Sequence, residues 1–224
     1  MSKLEQRLPN KDKRVKKGLF ISFEGLDGCG KTTQIKLLME QFKRAGKKPI
    51  LFREPGCTNV GEALRQIVLH EDFSIGERTE LLLYITARAQ VTDEVIIPAL
   101  ERDEILIADR YADSSVAYQG FGRELGADKV EWLNDFAVKN VYPDLTVFLD
   151  VPSTEVIKRL DRDNLDRLER EKEPFFRRVR EGYLWLAEKH SDRFIRFNAL
   201  KAPGRIHEEI MDVLYRKGLF NSPD

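Results

Sequence analysis

Cysteine is scarce: the chain has two, Cys29 and Cys57, and its three histidines lie far apart, so neither a disulfide framework nor a Cys/His zinc site is available to organise the fold. Charge of one sign is missing as well. Lys plus Arg number 38, as do Asp plus Glu, so a uniformly basic surface for nucleic acid is not expected, and any phosphate chemistry has to come from local clusters. No apolar run approaches the ~20 residues of a membrane span, and the opening "MSKLEQRLPNKDKRVKKG" lacks the apolar core of a signal peptide. These absences point to a cytoplasmic protein with reduced thiols and no membrane or nucleic-acid partner. The 224 residues suit one domain with a sizeable core and leave no room for a second. The expected organisation is a basic, solvated tail over residues 1–17 and a single domain over residues 18–218.

What is present alternates. "LFISFEG", "PILFREP", "ILIADRY", "LTVFLDV" and "FIRFNA" are nearly continuous runs of Ile, Leu, Val and Phe, the pattern of strands buried on both faces of a parallel sheet. Between them, "KTTQIKLLMEQFKRAG" and "ERTELLLYITARAQVTDEVIIPALERD" space their apolar residues as helices do. The expectation is an α/β fold, a five-stranded parallel sheet flanked by helices, with ligands beyond the carboxyl ends of the strands. The charged stretch "RLDRDNLDRLEREKE" is the one candidate for a mobile insertion.

"FEGLDGCGKTTQ" fits the phosphate-loop pattern G-x-x-x-x-G-K-[ST] at Gly25, Gly30, Lys31 and Thr32, with a strand before it and a helix after it, which predicts a P-loop NTPase fold. The backbone of Gly25, Leu26, Asp27, Gly28, Cys29, Gly30, Lys31, Thr32 and Thr33 would cradle ATP phosphates at the helix start. Lys31 would reach the β and γ oxygens, and the Thr32 hydroxyl would ligate Mg²⁺. Asp27 is the odd member, an anion in a loop that holds anions. On residue chemistry alone it either accepts a substrate hydroxyl, caps a helix or supports Mg²⁺ through water.

A phosphate loop is shared by kinases, GTPase switches and ATP-driven machines. The Asn-Lys-x-Asp guanine signature is absent from the body of the chain, and no second ATPase domain fits the length. Arg53 in "FREPG" and Arg110 in "ADRY" are expected to end the second and third strands, beside the phosphate loop, where guanidinium forks suit a monoester phosphate. Asp109 either supports Mg²⁺ or pairs with one of these arginines.

"FEGLDGCGKTTQ", "REPGCTNVGEALR", "LLLYITARAQ", "ADRYADSSVAYQG" and "LDRDNLDRLE" occur in the order and spacing of the thymidylate kinase family, and the resemblance runs from about Phe20 to Leu214. It implies a kinase that phosphorylates dTMP with ATP and magnesium, most like the bacterial branch, in which the lid carries the catalytic arginine. It also implies a homodimer packed through long apolar helices. By resemblance Asp27 accepts the sugar 3′-hydroxyl, Arg53 and Arg110 hold the acceptor phosphate, Tyr84 stacks on thymine where the family usually has Phe, and Arg88 reaches the base O4. Ser115 and Gln119 would lie at the base edge and Tyr118 near the deoxyribose carbon 2′. Two of these have plain alternatives, Ser115 as a helix-start residue and Tyr118 as a core aromatic. The lid, at about residues 160–172, would bring Arg162 and Arg167 over the phosphates, with Arg162 stabilising the transferring group. Asp163 stands where a glycine commonly follows that arginine, and a plain solvated helix face is the other reading of the segment. Cys57 departs from the commoner "REPGGT" and would stiffen the turn. The catalytic set expected is Lys31, Arg162, Arg110 and Asp109, with Thr32 and Asp109 at the metal. Outside the kinase class, the competing reading is a nucleotide-dependent regulatory protein without turnover; within it, another short nucleoside or nucleotide kinase.

Overall fold

The computed structural model describes residues 17–69, 74–159, 167–168 and 170–221. The basic tail up to residue 16 and residues 160–166 of the expected lid, Arg162 and Asp163 among them, lie outside the described residues.

The five apolar runs are the five strands. β1 (Leu19–Glu24), β2 (Ile50–Arg53), β3 (Ile105–Asp109), β4 (Leu145–Asp150) and β5 (Phe194–Asn198) form one parallel sheet in the order β2-β3-β1-β4-β5. Alternate side chains enter different packing clusters, as a period of two requires. Ile21, Phe23 and Ile107 join the larger one, while Phe20, Leu106 and Ala108 join a smaller one with Phe52 and Tyr111. From β1 the chain runs to the edge strand β2, returns to β3 and only then crosses to β4 on the far side of β1. The strand order therefore reverses beside β1, which opens a crevice at the carboxyl ends. Phe23 and Arg53 both stand opposite Asp109 in the register, so β1, β2 and β3 end level at that crevice.

Around the sheet run α1 (Lys31–Arg44), α2 (Asn59–Leu69), α3 (Glu77–Val91), α4 (Ile97–Glu101), α5 (Ala112–Ser115), α6 (Ala127–Val138), α7 (Ser153–Arg159), α8 (Glu173–Lys189) and α9 (Pro203–Arg216). The long helix expected from "ERTELLLYITARAQVTDEVIIPALERD" is divided: a π-helical turn, Thr92–Ile96, joins α3 to α4. It precedes Pro98, which has no N–H to continue the ladder. A second π-helical stretch, Val116–Gly122, continues α5 and carries Tyr118 and Gln119; such stretches are frequent at functional sites. Helix α8 lies directly on it. A Cβ at Gly182 would come within 2.9 Å of Ala117 Cα, so the close approach depends on glycine there.

Candidate active site

The loop from β1 to α1 turns on glycines with positive φ, Gly25 at 137°, Gly28 at 72° and Gly30 at 102°. A Cβ at Gly25 would sit 2.6 Å from the Leu149 carbonyl oxygen, so the approach to β4 excludes a side chain. Leu26 and Cys29 are buried in the core. The first N–H groups of α1, from Lys31 to Thr33, have no helical partners, and they mark the positive end of the helix. Lys31 lies back on the loop, donating to the carbonyls of Gly25 at 3.2 Å and Leu26 at 3.1 Å.

Asp27 accepts from Arg110 Nη2 at 2.5 Å and from the Tyr118 hydroxyl at 3.0 Å, with Lys31 at 3.7 Å. It does not cap a helix: Gly30 is the N-cap of α1, and no side chain bonds there. Burial by itself would raise the Asp27 pKa, but the Arg110 and Lys31 charges outweigh it and hold the carboxyl well below the usual carboxylate range. The anion in the loop is thus the counter-charge that fixes Arg110.

Arg110 is the first residue past β3 rather than its last, and its φ of 73° turns the chain sharply. Its backbone N–H donates to the Phe23 carbonyl at 3.0 Å, and Nη1 donates to the Gly25 carbonyl at 2.9 Å and the Tyr183 hydroxyl at 3.2 Å. Beneath it, Glu24 accepts from the Tyr111 N–H at 2.7 Å and from the hydroxyls of Ser114 at 2.6 Å and Tyr183 at 3.1 Å. Burial, with Asp113 nearby, pushes the Glu24 carboxyl up to about 7. Arg53 is exposed at the end of β2 and faces the same cavity.

Asp109 forms no ion pair among the described residues, and its Oδ1 is buried without a hydrogen-bond partner. That orphaned carboxylate oxygen and the exposed Thr32 hydroxyl fit a divalent cation. Magnesium needs few protein ligands because it keeps waters and phosphate oxygens, in keeping with the lack of a three-ligand cluster among the described residues.

A second wall is built from buried groups. Arg88, 1% exposed, donates from Nε to Glu54 Oε2 at 2.7 Å, from Nη1 to Ser115 Oγ and Asn134 Oδ1 at 2.8 Å each, and from Nη2 to the Tyr111 carbonyl at 3.2 Å, with Glu54 Oε2 also 2.6 Å from Nη2. Every N–H of this guanidinium is engaged, so an incoming acceptor has to displace the Ser115 hydroxyl, which is free to rotate. Ser115 is the last residue of α5, not a helix start. Tyr118 packs edge-on against Phe175 and also reaches Asp27, so it is both a core aromatic and a site residue. Gln119, also buried, donates from Nε2 to Glu80 Oε1 at 2.8 Å.

All the residues expected to bind the acceptor, Tyr84 included, line one cavity of about 380 Å³ with Gly28, Gly30, Lys31, Thr32 and Asp109. Thr33 does not. Arg167 departs from its expected place: it donates to Glu80 of α3 and, at 3.1 Å, to the Val68 carbonyl, so it braces α2 and α3 instead of lying over the phosphate loop. Glu54, Glu80 and Arg159 also belong to the site, though no motif singles them out in the sequence. Glu54 was visible only as part of "REPG"; its role needs Arg88, which is distant in sequence. Arg159 ends α7 and donates to the Gly28 carbonyl at 3.3 Å, beside the loop. Arg65 of α2 was also missed; it lines the cavity and holds the Pro55 carbonyl at 2.9 Å. Its one sequence signal was a basic residue one helix after "REPG".

Among the described residues, no helix is long and apolar enough to cross a membrane. Residues 23–210 match the family model of thymidylate kinase. Thymidylate kinases of Thermoanaerobacter sp. and of Caldanaerobacter subterraneus subsp. tengcongensis are 44% identical over 198 residues and 45% identical over 204, covering 88% and 90% of this chain and 98% of each relative. The crystal structure of thymidylate kinase from Ehrlichia chaffeensis aligns with a TM-score of 0.73 at 33% identity, over 88% of this chain and 98% of that one. The matched residues take in the phosphate loop, both arginines at the strand ends and the buried Arg88, and the chain belongs to the thymidylate kinase family.

Proposed function

We propose that the protein transfers the γ-phosphoryl group of ATP to dTMP, giving dTDP and ADP for dTTP synthesis, by direct in-line displacement. The observation that carries this reading is the sharing of one cavity by the phosphate loop, two guanidinium groups at adjacent strand ends and a wall of buried hydrogen-bonding groups. Arg53 and Arg110 grip the acceptor phosphate and align its oxygen with the γ-phosphorus. Lys31 leaves the loop carbonyls for the ATP phosphates. Asp27, ionised beside Arg110, accepts the sugar 3′-hydroxyl, and Tyr118 crowds the position of a ribose 2′-hydroxyl. Tyr84 stacks on the base, whose O4 meets Arg88. A magnesium ion held by Thr32 and Asp109 would draw charge from the β- and γ-phosphates. Arg162, outside the described residues, is our assignment for the arginine that meets the transferring group, with Arg167 as a brace for the lid.

We assign the assembly as a homodimer. Trp132 and Phe136 on α6 are 58% and 74% exposed, and Leu82 on α3, which packs against both α6 and α2, and Val60 on α2 are exposed as well, apolar side chains that suit a second copy of the chain. Both cysteines are free thiols, in keeping with a cytoplasmic place.

A coupled ADP-release assay across dTMP, dUMP, UMP, CMP, AMP and thymidine tests the reading. The expected order has dTMP first and dUMP behind it by the worth of one buried methyl, roughly 1–3 kcal/mol, with UMP far lower. Nucleotide binding without turnover on any acceptor, or a preference for UMP or thymidine, would overturn it.

A further inference from the structure

The wall that faces the base contains a carboxylate with no part in the reaction as described. Glu80 lies on α3 four residues before Tyr84 and eight before Arg88, on the face turned to the cavity, and it is fully buried. Its Oε1 accepts from Gln119 Nε2 at 2.8 Å, and its Oε2 accepts from Arg123 Nη2 at 3.2 Å and from Arg167 Nη2. Arg123 also pairs with Glu171 and lies 4.8 Å over the Phe175 ring. One buried carboxylate therefore joins the π-helical stretch that carries Gln119 to the chain on both sides of the start of α8.

The chemistry of this contact has a direction. A side-chain amide has a donor end and an acceptor end, whereas a carboxylate flanked by two guanidinium groups only accepts. Glu80 therefore claims the NH₂ end of Gln119 and leaves its Oε1, which has no hydrogen bond among the described residues, as the acceptor on offer at the cavity. Thymine and uracil carry an N3–H that can donate to such an oxygen; cytosine presents a lone pair at N3 and is repelled.

We propose that Glu80 is a positioning residue that determines base specificity: by fixing the Gln119 amide with its oxygen toward the cavity, it selects pyrimidine monophosphates that carry an N3–H. This rests on the reading of the cavity as the dTMP site. Glu80→Gln removes the direction, because a second amide bonds Gln119 in either orientation. Glu80→Asp keeps an acceptor-only partner.

The test compares kcat/KM for dTMP with that for 5-methyl-dCMP, which keeps the methyl group and alters only the N3–C4 edge. It uses the parent, Glu80→Gln, Glu80→Asp, Gln119→Leu and the Glu80→Gln/Gln119→Leu double variant, with thermal unfolding to establish folding. The parent's preference for dTMP is expected to fall about tenfold or more in Glu80→Gln and in Gln119→Leu, as when a buried polar group loses its matched partner. It should persist in Glu80→Asp, and Glu80→Gln should add nothing in the Gln119→Leu background. A folded Glu80→Gln whose preference stays within about threefold of the parent overturns the proposal. So does an unchanged preference in Gln119→Leu, which stands as the test if Glu80→Gln does not fold. A parent that does not phosphorylate dTMP overturns the reading of the site itself, a different failure.

Discussion

The two walls of the cavity use the same residue types in opposite ways. At the strand ends, Asp27 and Arg110 pair with side chains 29% and 17% exposed, and Arg53 is open to solvent. On the helical side, Glu54 and Arg88 pair at 3% and 1% exposure, every guanidinium N–H is taken, and Asn134 and Ser115 complete the shell. A charge that keeps some contact with water can change partners at little cost, which suits groups that must grip and release phosphates. A charge buried among fixed partners is costly to disturb, which suits the reading of an uncharged base edge, where the geometry has to be in place beforehand.

The comparison is broken most severely by Glu54→Ala. It leaves the Arg88 guanidinium buried without its counter-charge, and a loss of about 3–5 kcal/mol in unfolding free energy is expected from urea titration. A loss below about 1 kcal/mol would show that the helical wall is no more committed than the strand-end wall. Lys31→Met lies on the open side and should leave the unfolding midpoint near that of the parent, while turnover falls by about 10²–10³, the cost of removing one transition-state donor. Steady-state kinetics with circular dichroism separates the two effects.

Between the walls lies Glu24, whose pKa is raised by burial from its ordinary 4.5 to about 7. Between those values the folded protein binds more protons than the unfolded chain, so stability falls as pH rises through the window. A decline on the order of 2 kcal/mol between pH 5 and 8 is expected, and Glu24→Gln should flatten it; a slope unchanged in the variant would assign it to other groups. Asp27→Ala should raise the KM for dTMP about tenfold, the worth of one charge-assisted hydrogen bond, with the KM for ATP little changed. Equal effects on the two substrates would move Asp27 to the magnesium.

The smallest effect concerns the turn after β2. Cys57 is exposed and has a φ of 71°, a left-handed conformation that favours glycine. Cys57→Gly relieves roughly 1–2 kcal/mol of backbone strain against roughly 0.5–1 kcal/mol of added chain entropy. A net gain of up to about 1.5 kcal/mol in unfolding free energy is expected from urea titration, so the departure from "REPGGT" strains the turn rather than simply stiffening it.

Local chemistry was enough for the strands and the phosphate loop, while the residues expected around the acceptor came from the family resemblance. Short continuous apolar runs rich in Ile, Val and Phe and bounded by turn residues fit strands covered on both faces, and glycines flanking a lysine at a helix start have one common use. The sequence by itself also put Arg53, Asp109 and Arg110 at the carboxyl ends of two strands; that those ends lie level was decided by the register of β2 and β3. The sequence did not determine what any of the charged groups is bonded to. Asp27 with Arg110, Arg88 with Glu54 and Asn134, and Glu80 with Gln119 and Arg167 join residues 34 to 87 positions apart. Those pairings were decided by tertiary structure, because a buried charge takes the partner that folding brings within reach and sequence spacing carries no record of that distance.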